Sequence, residues 1–279
     1  MTEWNAQGYL EISAMQKWLA ELSLVDLALE GDERVLDVGC GEGRLTAEVA
    51  ARLPRGEILG LNASENMISL ARANHPDVQF VHGDARGMGF SEEFDVVISF
   101  NALHWVRAQE EALRAIHLAL KPGGLALLQM VGHGERHSLV HAFVQASRAE
   151  PWAQYFQGPE EPYLHASPEA YHALALGAGF ESADVTMPIY RWDFKADRFF
   201  AHYGEVTFVE WTRHVPEARR DGFVHAALEI YRNELPPEDR NVYTIYQLKA
   251  ALRKPGLGSP VRSEEGPDSE PAEGKPDRG

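Results

Sequence analysis

The sequence predicts an α/β fold, a doubly wound, mostly parallel seven-stranded sheet with a helical cap inserted between its late strands. Three observations predict it. Short apolar runs of strand length alternate with stretches of helical spacing through residues 9–130. The connections between them are short, as in parallel βαβ units. A glycine-rich turn, Gly39-Cys40-Gly41-Glu42-Gly43, stands directly after the first strand.

Each element follows in order. Tyr9, Ile12, Met15, Leu19, Leu22 and Leu27 recur near the helical period, so a helix is expected over 9–30, ended by Gly31-Asp32. Buried strands are expected at 34–38 (RVLDV) and 57–61 (EILGL), separated by a helix over 43–53 that Pro54 stops. Ser64 is placed to cap a helix over 65–74, with Met67, Ile68, Leu70 and Ala71 on its inner side. Strands are expected at 78–82 and 94–99 (FDVVIS). A helix over 109–120 ends at Lys121-Pro122-Gly123-Gly124, and a strand follows at 125–130 (LALLQM). Beyond Met130 the pattern loosens. It gives helices over 136–150 and 168–178, one long strand within 182–194, a helical pair over 196–214 and 217–235, and a late strand at 241–249. No internal repeat is present.

Composition narrows the function. The 279 residues suffice for one large α/β domain with a sizeable core, and 44% hydrophobic with 24% charged is ordinary globular balance. No apolar run approaches the roughly 20 residues of a membrane span. The N-terminus lacks the basic-then-apolar pattern of a secretory signal. Cys40 is the only cysteine, which excludes an intramolecular disulfide and fits a cytoplasmic setting. With 26 Lys+Arg against 42 Asp+Glu the net charge is −16, which disfavours nucleic acid and anionic membrane surfaces as partners. A small molecule, or a carrier presenting one, is the better expectation, on a monomer or homodimer. Residues 255–279 are rich in Pro, Gly, Ser and Glu and are expected to be a disordered acidic tail. That tail carries −3, so −13 remains on the rest. The expected division is a lid helix over 1–30, the main domain over 31–254 with its cap near 196–235, and the tail.

The glycine turn bears on the ligand. Glycines there let backbone approach a ligand closely. A dinucleotide fingerprint wants Gly or Ala three residues after the second glycine, where Arg44 stands, and the P-loop Lys-Ser/Thr is missing. An acidic residue just before the turn, Asp37, suits a cationic ligand rather than a pyrophosphate. These features favour S-adenosylmethionine over NAD or ATP. Gly39 and Gly41 would pack against its methionine part. Asp84, after the third strand, would accept from the adenine amino group, Ala85 N–H would meet a ring nitrogen, and Met67 would wall the purine.

The motif LDVGCGEGRLT (36–46) resembles motif I of the class I S-adenosylmethionine-dependent methyltransferases, which have a Rossmann-like sheet. Gly60-Leu61-Asn62-Ala63-Ser64, Gly83-Asp84-Ala85, 94–99 and Leu120-Lys121-Pro122-Gly123-Gly124 resemble the later motifs in the right order. Asn101-Ala102-Leu103-His104-Trp105-Val106 and Trp4-Asn5 with Tyr9 resemble the trans-aconitate methyltransferase branch, similar to juvenile-hormone-acid and malonyl-carrier-protein carboxyl methyltransferases. That resemblance implies O-methylation of a carboxylate. It also implies cofactor contacts from Asp37, Cys40, Asn62, Ala63 and Asn101, and a lid helix carrying Tyr9 and Gln16. Asn62 departs from the family, which usually has an acidic residue gripping both ribose hydroxyls. An amide cannot accept from both, which costs about 1 kcal/mol.

On the acceptor side, methyl transfer needs mainly alignment, and a carboxylate needs no base. His104 is expected to orient an anionic acceptor by a hydrogen bond or partial charge, Trp105 to wall the pocket, and Tyr9 to cover it; these three are the catalytic candidates. Arg191, Arg198 and Arg213 of the aromatic cap are candidates for pairing with acceptor carboxylates. His133, His137 and His141 are spaced by four, but their order is not His-Glu-x-x-His, so no metal site is expected. Two other readings remain: an N- or C-methyltransferase of natural-product type, and a non-catalytic partner protein with a weakened cofactor site.

Overall fold

The computed structural model describes residues 15, 18, 19, 21, 22, 24, 25, 27–134, 138–156 and 164–257. Tyr9, Gln16, His137 and nearly all of the expected tail lie outside the described residues. Of the expected helix over 9–30, the described residues from Met15 to Val25 are helical and residues 27–30 are not.

Five strands run parallel: β1 (Arg34–Val38), β2 (Glu57–Asn62), β3 (Gln79–His82), β4 (Phe94–Phe100) and β5 (Leu120–Val131). The sheet order is β3-β2-β1-β4-β5-β8-β6, where β6 is Ser182–Thr186 and β8 is Val242–Arg253. β8 pairs antiparallel with both β5 and β6. The order reverses between β1 and β4, which opens a crevice at the carboxyl ends of the strands.

Helices α1 (Arg44–Ala50), α2 (Glu65–Asn74), α3 (Gln109–Ala119), α4 (Leu139–Arg148) and α5 (Pro168–Gly177) fill the connections. Ser64, Ser138 and Ser167 cap α2, α4 and α5, each hydroxyl accepting a first-turn N–H. On one face of the sheet Leu113 and Ile116 of α3 and Tyr171 of α5 pack on Leu128 and Leu248. On the other, Leu24, Leu27, Val49 and Leu53 pack on Val35 and Ile98.

Two strand expectations change. β5 begins at Leu120, so Lys121-Pro122-Gly123-Gly124 lies inside it, as a register break against β4. The long strand expected within 182–194 is two, β6 and β7 (Ile189–Asp193). Pro188 has no N–H to give β8 and accepts from Gln247 N instead, at 3.0 Å. β7 pairs with the first half of β8 off the main path, so the seven positions of the path are kept by eight strands.

Between β7 and β8 lie α6 (Asp197–Thr207), α7 (Val209–Thr212) and α8 (Glu217–Arg232), where the cap was expected. α4 joins them. Phe143 of α4 stacks on Phe208 at 4.3 Å and meets Phe223 edge-on at 5.7 Å. Each fully buried Phe contributes roughly 1.5–3 kcal/mol, so this aromatic core fixes the cap as a rigid roof. Met15 of the N-terminal helix is buried in the same cluster.

Candidate active site

The turn after β1 is built on left-handed glycines. Gly39, Gly41 and Gly43 have φ of 85°, 57° and 86°. A Cβ at Gly39 would stand 2.1 Å from Ala102 Cβ, and one at Gly43 would stand 2.6 Å from Phe80 Cζ. A Cβ at Gly41 would meet nothing within 4 Å, so that glycine faces open crevice. Gly39 N and Cys40 N both donate to Leu61 O, at 2.7 and 3.1 Å, which pins the turn to the end of β2. Asp37 lies beneath it, buried, and Oδ2 accepts from Thr46 Oγ1 at 2.7 Å. That bond braces the turn against α1. Burial pushes the Asp37 carboxyl up to about 6, against the lowering effect of Thr46. Cys40 is buried too, and burial, with the charge of Asp37, pushes its thiol up to about 12; it is no nucleophile.

The next two motifs stand beside this turn. Asn62 ends β2, and its Oδ1 accepts from Ser64 N at 2.8 Å, closing an Asx turn. Ala63 O is 3.0 Å from His82 Nε2. Met67 is 44% exposed and Leu70 is 47% exposed, which corrects their placement on the inner side of α2; Ile68 and Ala71 alone are buried there. Met67 thereby faces outward. Both Asp84 oxygens are gripped by Arg86, with Nε to Oδ1 at 3.0 Å and Nη2 to Oδ2 at 2.6 Å. Those hydrogen bonds hold the Asp84 carboxyl below its usual range. Ala85 is buried against Leu61.

At the end of β4 the chain turns at Asn101, a non-glycine residue at φ 56°. Asparagine tolerates this conformation better than most residues. Its N–H donates to Gln129 O at 2.7 Å, and its Oδ1 accepts from Gln247 Nε2 at 3.0 Å. Gln247 on β8 is 1% exposed, so its amide is a fixed support. The short helix Leu103–Trp105 follows. It buries His104, 6% exposed, and leaves Trp105 42% exposed.

These residues line a cavity of about 380 Å³ under the cap. Its walls include Met15, Leu19, Leu45, Phe100, Val140, Tyr203, Phe208, Tyr243 and Ile245, with Arg44, Asn101, His104, Trp105, His165 and Gln247. His104 is corrected in one respect. Burial, and then His165, push its imidazole down to about 3, so it is neutral and supplies no charge to an acceptor. The cap arginines are corrected as well. None of them lines the cavity: Arg191 pairs with Asp239 at 2.5 Å, and Arg198 lies over the Phe199 ring. Arg44 lines it instead. Among the described residues no three His, Cys, Asp or Glu gather as a metal site, and no helix is long and apolar enough to cross a membrane.

Sequence reasoning missed Arg44, Arg86, His165 and Gln247. Arg86 was two residues from Asp84, and Gln247 was a polar residue inside an apolar strand; both are signals of a polar partner. His165 had no signal.

The mostly parallel sheet of this order, with a glycine turn opening onto a crevice and motif residues at successive strand ends, fits the class I S-adenosylmethionine-dependent methyltransferases, and with a relative 31% identical over 69% of its length the chain belongs to that family. The family profile described as a methyltransferase domain matches residues 35–124. A trans-aconitate 2-methyltransferase of Shigella dysenteriae serotype 1 (strain Sd197) is 31% identical over 182 residues, 65% of this chain and 69% of that one. One of Shigella flexneri serotype 5b (strain 8401) is 35% identical over 130 residues, 47% of this chain and 52% of that one, so this chain spans about half the length of that relative. Among solved structures, the YcgJ protein from Bacillus subtilis superposes with a TM-score of 0.62 at 16% identity, over 86% of this chain and 99% of that one. The cofactor is S-adenosylmethionine. The open face at Gly41, beside the polar ends of β2 and β3, is of the kind such a cofactor needs.

Proposed function

We propose that the enzyme methylates a carboxylate oxygen of a small organic acid. The observation that carries this reading is the cavity wall. It offers one guanidinium, Arg44, and among the described residues no Asp or Glu. His104 is a weak proton acceptor, since burial holds it near 3, and the Tyr203 hydroxyl is held up near 12 by burial. A cavity wall without a carboxylate base, whose buried histidine His104 is a weak proton acceptor, suits an acceptor that is ionised before it arrives. The trans-aconitate 2-methyltransferase relatives agree with an acid acceptor.

In this reading Gly39, Gly41, Asn62, Met67, Asp84 and Ala85 hold the cofactor. When bound, S-adenosylmethionine supplies a methyl group already activated on a sulfonium sulfur. The chain's own residues provide alignment and dryness. Gln247 fixes Asn101, Trp105 walls the mouth, and the aromatic roof excludes water. His104 stays neutral throughout and acts as a hydrogen-bonding wall. A cytoplasmic setting belongs to the same reading, on the single buried cysteine.

The test is incubation with methyl-labelled S-adenosylmethionine and a panel of carboxylic acids, amines and phenols between pH 6 and 9. The expected result is label in base-labile esters alone, at a rate flat across that range. Labelled amines or phenol ethers, formed at a rate rising with pH, would replace the carboxylate reading with an N- or O-methyltransferase that uses a base.

A further inference from the structure

The acceptor cavity is long on apolar wall and short on charge. Met15, Leu45, Phe100, Phe208 and Ile245 face it from five parts of the chain. Arg44 is the one Lys or Arg among the described residues that line it. Arg44 follows Gly43 directly, so the glycine turn delivers its side chain to the cavity wall. Its guanidinium is not locked. Nη1 lies 3.1 Å from Glu48 and Nε lies 3.9 Å from Glu42, and the side chain is 40% exposed. An i,i+4 pair of this exposure is weak, and the longer contact to Glu42 is at the limit of an ion pair. An arriving carboxylate therefore competes with two loosely held partners for a planar donor fork suited to it.

We propose that Arg44 reads the acceptor's charge, taking the single carboxylate of an otherwise apolar acid. No other Lys or Arg stands on the described wall: His104 is neutral and the cap arginines are elsewhere. A second or third carboxylate would enter a largely apolar space with no second Lys or Arg to meet it, which costs heavily. The cavity is thereby selective against polyacids, although the relatives it resembles include enzymes named for one. This inference rests on the carboxylate reading above and adds to it the residue and the number of charges.

Calorimetry on the full chain saturated with S-adenosylhomocysteine tests it, with octanoate, octan-1-ol and octanedioate as probes. The wild type is expected to bind octanoate at least ten-fold tighter than either other probe. Arg44→Gln should erase the preference over octan-1-ol, leave octan-1-ol binding unchanged and leave S-adenosylhomocysteine affinity within two-fold. Glu48→Gln, which frees the guanidinium, should tighten octanoate about three-fold and leave octan-1-ol alone. It keeps the proposal testable if Arg44→Gln folds poorly. Octanoate bound no better than octan-1-ol by the wild type would overturn the carboxylate reading and this proposal together. An acid preference that survives in Arg44→Gln, or is unmoved in Glu48→Gln, would overturn the assignment to Arg44 alone. Octanedioate binding as tightly as octanoate would overturn the single-charge selectivity.

Discussion

Gly39 and Gly41 lie in one turn, and alanine at each should fail in a different way. Both positions have positive φ, 85° and 57°, so either alanine bears the left-handed cost of roughly 1–2 kcal/mol. At Gly39 the new methyl would also stand 2.1 Å from Ala102 Cβ. Relieving that overlap adds roughly 1–3 kcal/mol, because Ala102 sits on the turn that positions His104. Gly39→Ala should therefore lose about 2–5 kcal/mol of stability. At Gly41 the methyl would meet no protein atom within 4 Å, so its stability loss should stay near the backbone cost. The crevice it enters is the one assigned to the cofactor. Gly41→Ala should weaken S-adenosylmethionine at least ten-fold, about 1.4 kcal/mol. Urea unfolding of both variants, with and without S-adenosylhomocysteine, and calorimetry on Gly41→Ala separate the two effects. Wild-type cofactor affinity in Gly41→Ala would refute the placement of the cofactor. Equal stability losses in the two variants would refute the steric account of Gly39.

Asn62→Asp keeps an acceptor for Ser64 N–H and gains a second oxygen, so it should tighten S-adenosylmethionine by about 1 kcal/mol in calorimetry; unchanged binding would remove Asn62 from the ribose site. Asp84→Ala should weaken the cofactor several-fold, and full retention of affinity would leave the Arg86 clamp as a purely local ion pair. The folded-state value of Asp37, raised to about 6, means that its contribution to stability is full below about pH 4 and is lost as pH rises through 6. Asp37→Asn should therefore gain on the wild type by up to about 3 kcal/mol between pH 4 and 8; a constant difference across that range would sink the argument. His104 runs the other way. Its value is lowered to about 3, so its contribution is full above about pH 6.5 and is lost as pH falls toward 3. Between pH 7 and 4.5 the wild type should lose about 3 kcal/mol more than His104→Asn, read as urea midpoints.

The cofactor half of this enzyme was legible because each of its motifs is local. A strand, a turn and a helix start fall within a dozen residues of one another, so apolar runs and glycines mark them directly. Gly39, Gly41, Asn62 and Asp84 all stand at the carboxyl ends of the strands that the pattern predicted. The hidden details there are orientations. No periodicity tells that Met67 turns outward, that Asn62 Oδ1 is taken by Ser64, or that both oxygens of Asp84 meet Arg86.

The acceptor half is non-local: His104 and Trp105, expected at the site mouth, line the cavity, but the residues around them come from distant parts of the chain. Asn101 is held by Gln247, 146 positions later. His104 O accepts from Leu164 N, and His165 beside it lowers the imidazole by repulsion. In the sequence, Arg191, Arg198 and Arg213 of the cap are candidates for pairing with acceptor carboxylates, against the commoner role of surface ion pairs. The fold instead spends the aromatic face of the cap on the roof and sets Arg191 and Arg198 against Asp239 and Phe199. In the proposed reading the cation that meets the acceptor comes from the glycine-turn motif, where Arg44 lines the cavity. The same glycine turn thus has two duties. Its left-handed backbone clears space for the cofactor, and the residue it ends on projects into the space beyond. A substitution at position 44 can change the acceptor while leaving every glycine of the turn in place, so acceptor choice and cofactor binding are separable although they share one loop.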